Sequence, residues 1–450
     1  MLNLKSIAYP LPEDVENARR CGCYDMANLL IDNYLANPDC PEVLKERLLL
    51  EKHNLKTIKT SFPYTIEEAD NLLSTTYPGQ YIKGSLSENL INGNLAWRFI
   101  DGRMMVESRV VEDARKRLAG FKESQATISD LKLRDDNISY MKEHKERTAI
   151  IRLRSSIKPL MAFGSLARIN IPVVRDSDSV SDIKFTLASK GYKGVDDKSV
   201  MMRCAHFEKT LEENDEFFIE YSYKIKANYK DIKETKGEID RKKFSEFLKE
   251  ESPHILFTPY LKALANEIVG TITSPSEKAR AIYNWITTHV KYSFMREYST
   301  IENIPEFAAS NLKGDCGVQA MLFITLSRIS GIPAKWQSGL YVTKESASPH
   351  DWAEFYLPEY GWCFCDCSFG GAAYRSGNIE RWKYYFGSGD VFRAPFNDMC
   401  CQTLYGKEEY PSDPTDNQRG EIEIKGRSLE RSEMEWKADV LDFELPGENE

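Results

Sequence analysis

Apolar positions change period several times along this chain. From residue 11 to about 62 they recur at helical spacing: Val15, Ala18, Met26, Leu29, Leu30 and Leu35, then Val43, Leu44, Leu48 and Leu49 after a break at Asn37-Pro38-Asp39. The second of these helices is expected from Pro41 to about Lys56. One such pair is a helical hairpin, short of the roughly three units a solenoid needs to bury its faces. Between 63 and 125 the pattern is mixed. Thr65 is placed to cap a helix from Ile66 to Leu73, and Leu95 to Ile100 reads as a strand ended by an Asp101-Gly102 turn. The charged stretch 121–146 reads as a linker or an exposed helix.

From Thr148 the period falls to two. Short alternating runs at Ile150–Arg154, Arg168–Val174, Asp182–Leu187, Val200–Cys204 and Phe217–Tyr223 are separated by Gly, Asp and Ser turns, the spacing of a β-sandwich over 148–228. Helical periodicity returns at about 254. Ser274-Pro275-Ser276-Glu277 predicts a helix start with a capping box, and the helix continues through Ala279, Ile282, Trp285 and Ile286 to His289-Val290-Lys291-Tyr292. A second helix opens at Cys316 and stops near Ser330, before Gly331-Ile332-Pro333. Three strands follow, Ala334–Val342, His350–Leu357 and Gly361–Asp366, the last two joined as a hairpin by Pro358–Gly361. From about 406 the chain is acidic and reads as a closing strand or a tail. The architecture is therefore α+β: a helical and mixed N-terminal region (1–125), a sandwich (148–228), a further α+β domain (254–405) and an acidic C-terminal segment (406–450).

Composition narrows the possible functions. A chain of 450 residues with 42% hydrophobic content can bury several cores. A net charge of -9 argues against nucleic acid, and the basic stretch Lys230–Lys243 is interleaved with acids, as on a solvated face. No window reaches the roughly 18 apolar residues of a membrane span, and the N-terminus has no signal-like apolar region, so a cytoplasmic protein is expected. Ten cysteines are too few for a disulfide scaffold in a chain this long, and most are expected to be small buried hydrophobes. Cys363, Cys365 and Cys367 would share one face of a strand, a row that suits tetrahedral metal binding poorly; neither they, Cys400-Cys401 nor Cys21-Gly22-Cys23 is read as a metal site. No metal and no cofactor are expected.

Cys316 carries the chemical signal. It sits in Lys313-Gly314-Asp315-Cys316-Gly317 at a helix start, where N–H groups and the helix dipole favour a thiolate. His350 and Asp366 follow on adjacent strands. A histidine beside the thiol would accept its proton and return it to a leaving group, and a carboxylate on the second ring nitrogen would fix the tautomer. The Cys316 N–H is a natural oxyanion donor; Tyr292, Trp336 and Gln337 are equal candidates for the second. His289 is expected to act as a cation at a helix C-terminus.

The segments Trp285-Ile286 to Val290-Lys291-Tyr292, Gly314-Asp315-Cys316, Gly331-Ile332-Pro333-Ala334-Lys335, His350-Asp351-Trp352-Ala353-Glu354 and Gly361-Trp362-Cys363-Phe364-Cys365-Asp366 together resemble the transglutaminase-like superfamily, thiol enzymes of papain-like fold. The resemblance implies Cys316 as nucleophile, His350 as acid/base and Asp366 as the orienting carboxylate. A sandwich ahead of the core is an arrangement of bacterial members, cysteine proteases among them. Cys367-Ser368 stands where the family often has Pro-Thr, and no Asp-x-Asp-x-Asp-Gly loop suggests the calcium sites of animal cross-linking enzymes. The expected function is acyl transfer from a peptide, protein or amide substrate through a Cys316 thioester, with water as acceptor. The alternatives are an amine-accepting transglutaminase and a non-enzymatic binding module with a vestigial triad.

Overall fold

The computed structural model describes residues 2–91, 95–108, 111, 114, 123–293, 295–402, 404 and 406–446. The sequence readings at 121–122, 403, 405 and 447–450 lie outside these. The chain divides into two compact units, Met1–Leu131 with Arg296–Glu302, and Lys132–Met295 with Asn303–Glu450. Helix and strand mix in an α+β arrangement, and no helix among the described residues is long and apolar enough to cross a membrane.

In the first unit, helices α1 (Glu13–Arg20), α2 (Tyr24–Ala36) and α3 (Glu42–Ser61) enclose Val15, Tyr24, Ala27, Ile31, Leu48 and Leu55. The buried stripe of α2 is Tyr24, Ala27 and Ile31, whereas Met26 and Leu29, expected inside, are exposed. The i, i+3, i+7 row beginning at Tyr24 outcompetes the row beginning at Met26 because it carries the larger ring to the interface. Strand β1 (Tyr64–Thr65) leads into α4 (Ile66–Thr76), where Thr65 and Glu68 form the capping box. Helix α5 (Ser85–Ile91) and the hairpin β2 (Trp97–Ile100) and β3 (Arg103–Val106) follow. Helix α6 (Glu123–His144) takes the stretch read as linker or exposed helix, and from Lys132 on it belongs to the second unit.

The second unit continues after α6 with β4 (Glu146–Pro159), β5 (Leu166–Pro172), β6 (Val180–Ala188), β7 (Tyr192–Val195), β8 (Cys204–Thr210) and β9 (Phe217–Asn228). Ile151 opposes Tyr223 and Leu153 opposes Tyr221, so the alternating apolar residues of β4 and β9 share a face. A slip of one residue would turn all of them to the other face, which pins the register.

Next come α7 (Pro259–Val269), α8 (Pro275–His289), β10 (Lys291–Tyr292), α9 (Ile304–Asn311), β11 (Lys313–Gly314) and α10 (Cys316–Ile329). Pro275 takes the first position of α8 as expected, but the Ser274 hydroxyl pairs with Ser276 Oγ (3.1 Å) and makes no capping box. His289 Nδ1 meets the Trp285 carbonyl (2.9 Å), and its ring stacks on Trp285. Helix α10 is buried on every side from Gly317 to Arg328. Some of its polar groups are answered internally, Thr325 donating to Met321 O and Arg328 to the carbonyls of Ala334 and Lys249, while Gln319 Oε1 and Ser327 Oγ are buried without a hydrogen-bond partner among the described residues.

Against α10 lies the sheet of β12 (Ala334–Val342), β13 (Ala347–Leu357), β14 (Gly361–Cys365), β15 (Phe386–Gly387) and β16 (Arg393–Asn397), in the order β15-β14-β13-β12-β16. Helices α11 (Cys367–Arg375) and α12 (Ile379–Tyr384) connect β14 to β15. Cys367 therefore opens a helix and does not continue the strand; its sulfur lies 3.8 Å from that of Cys365. The acidic C-terminal segment is structured: β17 (Glu421–Ile424) and β18 (Arg427–Ser428) extend one sandwich sheet, and β19 (Met434–Glu444) runs beside β4 in the other. One apolar core joins Ile151, Tyr223 and Ile422 of the sandwich to Tyr341, Phe392 and Phe396 of the α10-covered sheet.

Candidate active site

Cys316 is the first residue of α10. Asp315 caps the helix, its Oδ1 accepting from Val318 N at 3.2 Å. Gly314 is required by space: a β-carbon there would stand 2.3 Å from Val318 Cγ1. Parallel pairing of β10 with β11 sets Tyr292 opposite Gly314, which ties the Val290-Lys291-Tyr292 segment to the approach to the cysteine.

His350 lies on β13 opposite Gly339 of β12 and is buried. Its Nε2 meets Asp366 Oδ2 at 2.7 Å, and its ring stacks on Phe369 with centroids 4.4 Å apart. Asp366 is the N-cap of α11, and its two oxygens divide the work. Oδ1 accepts from Phe369 N and Ser368 Oγ, both at 2.9 Å, while Oδ2 faces the imidazole and, at 3.2 Å, Arg393 Nη1. Burial alone would raise the Asp366 pKa, but His350, Arg393 and the Phe369 N–H together hold it well below the carboxylate range. Burial pushes the His350 pKa down; Asp366 opposes this, and Arg393 and Arg134 add to it, leaving the ring less basic than a free histidine.

The hydrogen bond described for the thiol is to the residue beside His350. Cys316 Sγ lies 3.4 Å from Asp351 Oδ2, and the Asp351 main-chain N–H is also directed at the sulfur. Burial, then the carboxylates of Asp351 and Asp315, push the thiol pKa well above its ordinary value. This reverses the sequence expectation of a thiol lowered by its helix start. The helix dipole acts there as expected, but two acidic groups share the site and burial penalises the anion. Asp351 is itself driven up by burial and by Asp315, which favours its neutral acid form. Substituting Asp315→Asn keeps a good N-cap and removes one negative charge beside sulfur. Alkylation of Cys316 by iodoacetamide near neutral pH, followed by peptide mass spectrometry, is expected to run several-fold faster; an unchanged rate would show that Asp315 does not act on the thiol.

Three further groups hold this arrangement and left little trace in the sequence. Asp351 lies inside the His350-Asp351-Trp352 segment, where nothing in the local sequence marks it. Gln418, in the acidic segment, directs Nε2 at Gly339 O (3.1 Å), His350 O (2.9 Å) and Asp351 Oδ1 (2.8 Å), sharing two protons among three acceptors. Arg393, on β16, is brought in only by sheet order. Of the oxyanion candidates, Tyr292 is half-exposed, and the indole N–H of Trp336 is buried without a hydrogen-bond partner among the described residues. Gln337 helps line a cavity of about 450 Å³ walled by Trp352, Glu354, Trp362, Phe364 and Arg393; neither Cys316 nor His350 lines it.

Residues 262–367 match the family model of the transglutaminase-like superfamily. That stretch, less than half of the chain, is therefore similar to a transglutaminase-like domain. An uncharacterized protein of Haemophilus influenzae is 27% identical over 164 residues, covering 30% of this chain and 42% of that protein, so the chain spans less than half the length of this curated relative. Among solved structures, a candidate cysteine protease from Cytophaga hutchinsonii is 17% identical with a TM-score of 0.42, over 66% of this chain and 91% of that one. The periplasmic domain of TgpA from Pseudomonas aeruginosa is 14% identical with a TM-score of 0.30, over 55% and 96%.

Proposed function

We propose that Cys316, His350 and Asp366 catalyse acyl transfer from a peptide or amide through a Cys316 thioester, with water as the acceptor. The observation that carries this reading is the buried 2.7 Å contact of His350 Nε2 with Asp366 Oδ2; the thiol's own hydrogen bond is to Asp351, and none joins Cys316 to His350 among the described residues. A neutral thiol and a weakly basic imidazole suit general-base activation: in this mechanism His350 takes the thiol proton as sulfur attacks the carbonyl carbon. The same proton then goes to the leaving amine as the C–N bond breaks. Water attacks the thioester with His350 again as base, and the acid leaves as the thiol is restored. The Cys316 N–H supplies one oxyanion donor.

The test is a panel of peptide amides, read as ammonia or amine released, together with mass spectrometry of the intact chain for an acyl adduct on Cys316. Turnover and adduct are both expected in the wild type and absent from Cys316→Ala. Hydrolysis is preferred because no feature marks a dedicated lysine-accepting site; excess primary amine that diverts most product into a new amide would make the protein a transglutaminase. A non-enzymatic binding module is favoured by one observation, the seating of Asp351 against the thiol with Asp315 at the same helix start. It predicts neither turnover nor adduct with any amide.

A further inference from the structure

Arg393 stands outside the stretch that matches the family, on the edge strand β16, and yet its guanidinium reaches the candidate catalytic pair. It is almost wholly buried. Asp390 grips it in a two-point fork, Nε to Oδ1 and Nη2 to Oδ2, both at 3.0 Å. The remaining nitrogen, Nη1, lies 3.2 Å from Asp366 Oδ2, the same oxygen that meets His350 Nε2. Rings close the other sides: the guanidinium carbon is 5.1 Å from the Trp352 centroid and 5.0 Å from those of Phe364 and Phe369. A planar cation fixed at two points cannot swing away, and buried as it is, its charge is less screened than on the surface.

We propose that Arg393 is a positioning residue: locked by Asp390, it orients the Asp366 carboxylate against His350, and its charge disfavours protonation of the imidazole. The role rests on the acyl-transfer reading, in which His350 must be neutral to accept the thiol proton. The groups facing His350 are few. Asp366 meets Nε2, Arg393 approaches from β16, Arg134 of α6 lies over Phe369 and Tyr341, and Tyr341 of β12 packs edge-on to the ring. Asp351, the next residue of β13, meets Cys316 Sγ of α10. Removing Arg393 therefore takes one of two nearby cations from the imidazole, while removing the Asp390 charge leaves Arg393 less neutralised.

The experiment is a pH titration of His350 by NMR in the full-length chain labelled at its six histidines, the signal assigned with His350→Gln. Arg393→Met is expected to raise the His350 titration by about one pH unit, the size of shift a close charge produces. Asp390→Asn is expected to lower it, and Arg393→Lys to leave it near wild type. Should Arg393→Met fail to fold, the Asp390→Asn and Arg393→Lys titrations decide the matter. Titrations that stay put, or that move in the same direction in Arg393→Met and Asp390→Asn, would overturn the proposal and leave Arg393 a packing residue. In variants with turnover, the acid limb of kcat/KM should follow the same order. Because the titration needs no substrate, an inactive wild type with the expected titration shifts would sink the acyl-transfer reading and leave the electrostatic clamp standing.

Discussion

Replacing Asp366 by Asn is expected to lower amide hydrolysis by about four orders of magnitude while the protein still folds. The two carboxylate oxygens have separable tasks. Asparagine retains an acceptor for Phe369 N and Ser368 Oγ, so the start of α11 stays capped. On the other side it cannot accept from His350 as an anion does, and its amide group favours the wrong ring tautomer. The charge that neutralises the imidazolium formed during attack is lost as well. Arg393 keeps Asp390, so the stability cost should be about 1–3 kcal/mol. Asp366→Ala adds the loss of the cap, about a further 1 kcal/mol. Measuring kcat/KM beside the melting temperature separates the two tasks; an Asp366→Asn enzyme within tenfold of wild type would remove Asp366 from the mechanism.

The same carboxylate sets a pH signature for stability. Its folded pKa is depressed, so the stability it contributes is fully present above the unfolded aspartate value of about 3.9 and is lost only as pH falls through the lower folded value. Wild type should therefore lose stability more steeply in acid than Asp366→Asn, a difference readable from urea unfolding at a series of acidic pH values.

The second large effect is expected at Gly339, where Gly339→Ala should lower stability by about 3 kcal/mol or more, or drive the chain into the insoluble fraction. Gly339 faces His350 across β12 and β13, and on its other side a β-carbon would lie 2.0 Å from the Ala394 carbonyl oxygen and 3.0 Å from Phe396 N. Those are backbone atoms of β16, and they cannot move aside as a side chain could. The pairing of β12 with β16 shifts register between Ser338 and Gly339, beside this close approach. Movement of β16 would also carry Arg393 away from Asp366. A melting temperature equal to wild type would show that the strands can separate without penalty.

Much of this was readable from local pattern. The period-two runs of 148–228, the buried helix opened at Cys316 and the strand hairpin bearing His350 are set by residues close together in sequence, so each could be located before any packing was known. The face of α2 was not legible, because Met26 and Leu29 fit a helical stripe as well as Tyr24 and Ala27 do, and only the partner helices choose between them. The final segment shows the same limit. Glu421–Ile424 and Met434–Glu444 are too acidic to announce themselves as core, and they become strands because β5 and β4 offer unpaired edges.

The sequence by itself determined which groups the candidate site has and their order: a cysteine at a helix start, then a histidine and an aspartate on neighbouring strands. Their places on helix and strands rest on short-range spacing, and their expected roles on the resemblance to the transglutaminase-like superfamily. The tertiary structure decided the electrostatics. Asp351 against the thiol, Arg393 against Asp366 and Gln418 across the β12–β13 pair come from remote or unremarked positions. Charge acts through space and grows with burial. The state of the Cys316 thiol therefore depends on which distant side chains the fold packs around it.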